Sequence, residues 1–231
     1  MLEDLRREVL AANLELAAKN LVAYTFGNAS GIDRRAGLFA IKPSGVPYED
    51  LTAEMLVIVD LDGRVVEGRL NPSSDMPTHL ELYRSFAAIG GVVHTHSKWA
   101  TAWAQARLSL PCFGTTHADY FYGEVPCTRP LTDEEINGAY EVNAGRVIVE
   151  RFRDLECMQV PGVLVAGHGP FTWGKDAMQA AHHSVILEDL ARMGAIARQL
   201  NPALGAIPQT LLDRHFMRKH GRNAYYGQKP G

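Results

Sequence analysis

The chain has 231 residues, 46% of them hydrophobic and 21% charged, which excludes a disordered polymer and allows a sizeable buried core. A formal net charge of -3 without any Lys/Arg run gives no electrostatic basis for binding nucleic acid or an anionic membrane, and no apolar stretch approaches the ~20 residues that cross a bilayer. Cys112, Cys127 and Cys157 are odd in number and lack CxxC spacing, which argues against a disulfide framework or a thiolate zinc knuckle.

The opening MLEDLRREVLAANLELAAKN is charged and amphipathic from its first turn, unlike a secretory leader, so a reducing cytoplasm is the expected compartment. Leu5, Val9, Ala12 and Leu16 recur at helical spacing, predicting a helix that ends near Asn20. Strand character follows in LVAYTFGNAS, GLFAIKPSG and MLVIVDLDGRVVEG, with Asp62-Gly63 as a type I' hairpin signal. Ser73, Ser74 and Asp75 are N-cap candidates, and Pro77 suits the first turn of a helix running to about Ile89, where Gly90-Gly91 stops it. VVHTHS reads as a strand, after which Ser97 caps a helix with Trp99, Ala102, Trp103 and Ala106 on one face.

Further along, Thr132 to Glu135 forms a capping box that opens another helix. VIVERF and PGVLVAGHGPFTW read as late strands. Residues 176–200 read as a long helix with Met178, Ala181, Val185 and Leu190 toward one side. HFMRKHGRNAYYGQKPG reads as a polar, aromatic tail. No repeat or linker divides the chain, so the expectation is an α/β fold in one domain, residues 1–231, with a mixed or mainly antiparallel sheet covered by helices.

His94 and His96 stand two apart at a strand end, so the strand's period of two points both imidazoles to one side. His168 leaves the apolar run VLVA in a glycine turn. Three imidazoles with an open fourth position describe a catalytic rather than a structural zinc site, although the same residues also serve as hydrogen-bonded core histidines. Asp75 is equally explained as a cap or a ligand. His79, His182, His183, His215 and His220 read as packing or surface residues, with His215 alone worth closer attention. The turns FGNAS, KPSG and PSSD offer backbone N–H groups, hydroxyls and one lysine, and the last opens a helix whose positive dipole end attracts anions. Singly, each is ordinary turn chemistry; converging, they would make a phosphate site.

GNAS, KPSG, PSSD, GGVVHTHS, GTTHADYFYG, PCTR, GVLVAGHGPFTWGK and FMRKHGRNAYYGQ together resemble the L-ribulose-5-phosphate 4-epimerase family of the class II aldolase superfamily, from Leu2 to Gln228. The resemblance implies a three-layer α/β/α fold around a mostly antiparallel sheet and a homotetramer with active sites between subunits. It implies that His94, His96 and His168 hold Zn2+ with Asp75 as fourth ligand, and that Gly27, Asn28, Lys42, Ser44, Gly45, Ser73 and Ser74 hold a sugar phosphate. Asp119 and Tyr226 match the family's acid/base pair, contributed by the neighbouring subunit, with Thr115, Glu141 and His215 in support.

The implied reaction inverts C4 of L-ribulose 5-phosphate to give D-xylulose 5-phosphate. The C3–C4 bond breaks, the aldehyde fragment rotates and the bond re-forms, with zinc stabilising the charge left on the ketone fragment. A branch resembling L-fuculose-phosphate aldolase has glutamate where this chain has Asp75, so aspartate here favours the epimerase. A fragment-releasing aldolase and a structural zinc protein are the alternatives. A zinc hydrolase is disfavoured because HExxH is absent.

Overall fold

The computed structural model describes residues 2–221 together with 224 and 225. Its strands are β1 (Asn28–Asp33), β2 (Leu38–Ile41), β3 (Val57–Asp60), β4 (Val65–Glu67), β5 (Gly91–His94), β6 (Gly162–Leu164) and β7 (Pro170–Gly174). They form one sheet in the order β4-β3-β2-β1-β5-β7-β6, with every neighbouring pair antiparallel. The helices are α1 (Glu3–Ala18), α2 (Met76–Ser85), α3 (Lys98–Ala106), α4 (Thr115–Ala118), α5 (Asp133–Asn137), α6 (Tyr140–Arg151), α7 (Ala177–Leu200) and α8 (Gln209–His220).

Alternation along the strands creates two buried faces. Ala29, Ala40, Ile58 and Val93 pack against Val9, Ala12 and Leu16 of α1 and Ala177, Ala180 and Ala181 of α7. On the opposite face Phe39, Ile41, Val57, Val59, Val92, Phe171 and Trp173 meet Leu82 and Tyr83 of α2 and Ile148 of α6. The result is helix, sheet and helix in three layers. α7 lies so close to the sheet that a Cβ on Gly91 would sit 2.4 Å from the Cα of Ala177, which is why glycine begins β5.

Several local readings change. VIVERF is the last part of α6, because Ala144, Val147 and Ile148 bury together at helical spacing and α6 packs along α2. Burial of that stripe overrides the β propensity of its β-branched residues. The β3–β4 connection is a hairpin, but only Gly63 takes positive φ (88°), so it is not type I'. Asp60 closes it instead, its carboxylate accepting from the N–H groups of Asp62 and Arg64 at 2.9 and 2.8 Å.

α2 ends at Ser85 rather than near Ile89, and Arg34 donates to the carbonyls of Tyr83, Phe86 and Ile89 there. Ser97 precedes α3 without capping it; the Glu188 carboxylate accepts from Trp99 and Ala100 N–H instead. The buried side of α3 is Ala100, Thr101 and Ala104, and that of α7 runs through Ala177, Ala180, Ala181, Leu187, Leu190 and Ala191, leaving Met178 exposed. The capping box at Thr132 and Glu135 is present. Residues 215–220 of the expected tail belong to helix α8, which is seated through Leu212 and Phe216.

No helix among the described residues is long and apolar enough to cross a membrane. All three thiols are free.

Two consequences can be measured. Gly91→Ala should force α7 off the sheet and cost about 3 kcal/mol or more in urea denaturation; an unchanged midpoint would contradict the packing. His79, His117 and His183 are buried, and burial lowers each pKa to about 4. They stay neutral in the folded chain, whereas the unfolded chain protonates near ~6.5. Stability should therefore be full above about pH 6.5 and fall as pH drops toward 4, by up to ~1.4 kcal/mol per pH unit for each imidazole. Equal urea midpoints at neutral pH and about pH 5 would contradict this.

Candidate active site

β5 ends at His94, and its register sets Asn28 of β1 and Phe171 of β7 on either side. The His94 ring is 1% exposed and stacks on Phe171 with centroids 4.2 Å apart. Its Nδ1–H donates to the Pro170 carbonyl at 2.9 Å, which fixes the tautomer and leaves the Nε2 lone pair bare. Burial holds its pKa down, to about 3, so the ring is neutral. His96 Nε2 lies 3.0 Å from His94 Nε2. His168 arrives in the turn before β7, also pushed toward neutrality by burial, and its Nδ1 is 3.3 Å from the Tyr140 hydroxyl.

Ring nitrogens of His94, His96 and His168 all lie within 4.8 Å of one another. Histidines buried merely for packing send their nitrogens to separate partners, as His117 and His183 do with the carbonyls of Gly123 and Trp173. Here they converge. Three convergent imidazoles fit a divalent cation of zinc's type and leave a coordination position open.

Asp75 precedes α2 but makes no cap bond. Its Oδ2 accepts from Asn28 Nδ2 at 2.7 Å, and the same amide reaches Ser73 Oγ at 3.0 Å. Burial alone would raise its pKa, yet His94, His79 and the Asn28 amide outweigh that and keep it below the usual carboxylate range. Asp75 stands outside the set of three imidazoles but lines the same cavity.

That cavity, of about 370 Å³, is bounded by Gly27, Asn28, Lys42, Ser44, Gly45, Ser73, Ser74, Asp75, His94, His96, Tyr140, Glu141 and His168. The three polar turns thus meet one another and the imidazoles. Gly27 has φ 78°, and a Cβ there would meet Val22 at 2.8 Å and the His94 carbonyl at 3.0 Å, so the chain passes close behind the end of β5. Lys42 is 1% exposed, with Nζ donating to the Val46 carbonyl at 2.7 Å and lying 4.8 Å over the Tyr48 ring. Burial lowers its pKa to about 8.

Asp119, Thr115 and His215 do not line this cavity. Asp119 ends α4, its N–H donating to the Thr115 carbonyl at 3.0 Å, and its carboxylate faces α8. There it accepts from His215 Nδ1 at 3.1 Å and Arg218 Nη2 at 2.8 Å, with Lys219 Nζ at 3.5 Å. Burial would raise the Asp119 pKa, but the hydrogen bonds from Arg218 and His215 and the charges of Lys219 and Arg218 prevail and keep it low. Glu141 sits apart from that group, on the histidine cavity. Tyr226 lies outside the described residues. Sequence reasoning passed over Tyr140, Arg218 and Lys219; the adjacency of Tyr140 to Glu141 was the only signal for the first.

Titration with Zn2+ should saturate near about one ion per chain, and His94→Ala or His168→Ala should abolish binding at that stoichiometry. Unaltered binding in either variant would show that the ion sits elsewhere.

Comparison with known proteins carries the same pattern. A profile of the class II aldolase and adducin N-terminal domain matches residues 7–195. The chain is 55% identical over 228 residues to proteins named L-ribulose-5-phosphate 4-epimerase UlaF in Salmonella paratyphi B and Salmonella typhi, covering 99% of this chain and 100% of each relative. Among solved structures, an L-fuculose 1-phosphate aldolase superposes with TM-score 0.78 at 26% identity, covering 92% of this chain and 94% of that one. An L-fuculose-1-phosphate aldolase from Thermus thermophilus gives 0.69 at 27% identity, covering 88% and 100%. Sequence match, antiparallel three-layer fold and histidine triad agree: the chain belongs to the class II aldolase and adducin family.

Proposed function

We propose that this chain is a metal-dependent L-ribulose-5-phosphate 4-epimerase of the cytoplasm. The observation that carries the reading is the single cavity in which a three-imidazole cluster faces Lys42 and the three hydroxyl- and glycine-bearing turns. Full-length identity of 55% to proteins of that name supports the same substrate.

In this reading His94, His96 and His168 hold Zn2+, with Asp75 beside them as fourth ligand. The ion supplies a Lewis acid for a bound carbonyl and for the negative charge that C3–C4 cleavage leaves on carbon. Ser44, Gly45, Ser73 and Ser74 bind the phosphate, so the aldehyde fragment stays tethered while it turns over. Gly27 and Asn28 border the sugar, and Lys42 offers its positive charge to the phosphate. The Lys42 ammonium keeps most of its charge at neutral pH, since its pKa of about 8 lies above that.

The C4 hydroxyl points to opposite sides in the two epimers, so two groups must take and return its proton. Asp119 and Tyr226 fill those roles from a neighbouring subunit of a homotetramer, which accounts for Asp119 lying away from the cavity of its own chain. Asp119 enters as a carboxylate, because Arg218, His215 and Lys219 stabilise its charge. Thr115 and His215 support it from its own subunit, and Glu141 from the cavity wall it would approach.

The structural likeness to aldolases favours a second reading, in which both fragments are released from the same site. Metal-loaded protein incubated with L-ribulose 5-phosphate and followed by NMR should accumulate D-xylulose 5-phosphate without free glycolaldehyde phosphate; release of that aldehyde would establish the aldolase instead. Tyr226→Phe should leave metal content intact and slow epimerisation by about 100-fold or more. Near-normal turnover would remove Tyr226 from the mechanism.

A further inference from the structure

More than opposite charge holds the Asp119 carboxylate. Arg218 meets it through one edge of the guanidinium, Nε donating to Oδ1 at 3.1 Å and Nη2 to Oδ2 at 2.8 Å, so a single rigid fork grips both oxygens. His215 Nδ1 donates to Oδ1 at 3.1 Å. The main chain is gripped as well, because His220, its ring stacked on Phe216, donates from Nε2 to the Asp119 carbonyl at 3.0 Å. All of these donors stand on α8.

A carboxylate offers about four lone-pair sites, two on each oxygen. Arg218 and His215 take both sites of Oδ1, and Arg218 takes one of Oδ2. Lys219 Nζ stands 3.5 Å from Oδ2, beyond the range of a good hydrogen bond, and acts on it through charge. One acceptor site on Oδ2 therefore stays open among the described residues, and the side chain is 13% exposed, so a hydroxyl from outside the chain can reach it. Charge by itself does not call for arginine here, since Lys219 already brings a cation to the same oxygen. What an ammonium does not supply is a planar pair of donors that fixes how the carboxylate is turned.

We propose that Arg218 is a positioning residue: its fork, with His215, fills Oδ1 and fixes the plane of the Asp119 carboxylate, leaving Oδ2 as the oxygen that takes the C4 hydroxyl proton. The inference rests on the acid/base role proposed for Asp119 above. As one epimer is cleaved, the sugar O–H bond breaks and an O–H bond forms on Oδ2; the reverse protonates that epimer as it is made. Arg218 keeps its own protons throughout. A base misplaced by about 1 Å can lose on the order of 100-fold in rate, so the fork matters even though it never touches the sugar.

The test measures kcat and KM of the metal-loaded protein on L-ribulose 5-phosphate, with thermal unfolding beside them. Arg218→Lys keeps the charge and loses the fork, so kcat should fall about 10-fold or more while KM and unfolding temperature hold. A parent-like kcat would show that charge alone suffices, and a fall accompanied by a raised KM and a lower unfolding temperature would leave the pair a strut that seats α8; either result overturns the inference. Arg218→Ala should regain about 10-fold of its lost turnover in millimolar guanidinium ion, which refills the fork, and this decides the matter should the lysine variant fail to fold. No recovery overturns the inference. Asp119→Asn keeps the two claims apart. Normal turnover in that variant removes Asp119 from the mechanism and this inference with it, whereas slow turnover there beside a parent-like Arg218→Lys sinks the inference alone.

Discussion

The hydrogen bond from His94 Nδ1 to the Pro170 carbonyl ties together the two stretches of chain that build the three-histidine cluster. It joins the end of β5 to the start of β7 next to the turn that carries His168, and it commits one nitrogen of His94 so that the other faces the cluster. Stacking on Phe171 excludes water from the ring and holds it neutral. A lone pair that is both unprotonated and fixed in direction is the precondition for a metal ligand. The sheet register supplies it: His94 pairs with Phe171 and Asn28, and Asn28 in turn restrains Asp75.

From this bond the site spreads outward along antiparallel neighbours. β1 brings Asn28 at its first residue, the loop after β2 brings Ser44 and Gly45 with Lys42 ahead of them, and α2 begins at the PSSD turn. α6 begins with Tyr140 and Glu141 against His168. Every contribution comes from the end of an element or the turn beside it. The interior of each element is left to packing, so the strands can be almost wholly apolar while their ends carry the chemistry.

The parts legible in the sequence are those governed by local rules. His94 and His96 were readable because strand alternation sets their direction, and His168 because glycines flank it at the end of an apolar run. The antiparallel pairing of the first strands was readable from their succession, whereas β5 and β6 are reached through helices and their direction was left open between a mixed and a mainly antiparallel sheet. What escaped depends on contacts distant in sequence. Val147 to Val149 favours strand by composition, and only the surface of α2 makes it helix. Tyr140 meets His168 across 28 residues of chain, which no spacing rule registers. The ionic group around Asp119 needs α8 to fold back as a helix, and a polar segment with two buried apolar residues, Leu212 and Phe216, gives little hint of that.

Lys42 carries an implication for selectivity. A lysine paired with a resident carboxylate must surrender that partner before it can serve an incoming anion. Lys42 has no carboxylate partner among the described residues; main-chain carbonyls and the Tyr48 ring cradle its ammonium. Such a cradle is too weak a base to neutralise the cation and too rigid to follow it. In the proposed reaction a phosphorylated sugar therefore meets a charge already stripped of water and waiting, whereas a neutral sugar of the same shape would recover nothing for that stripping.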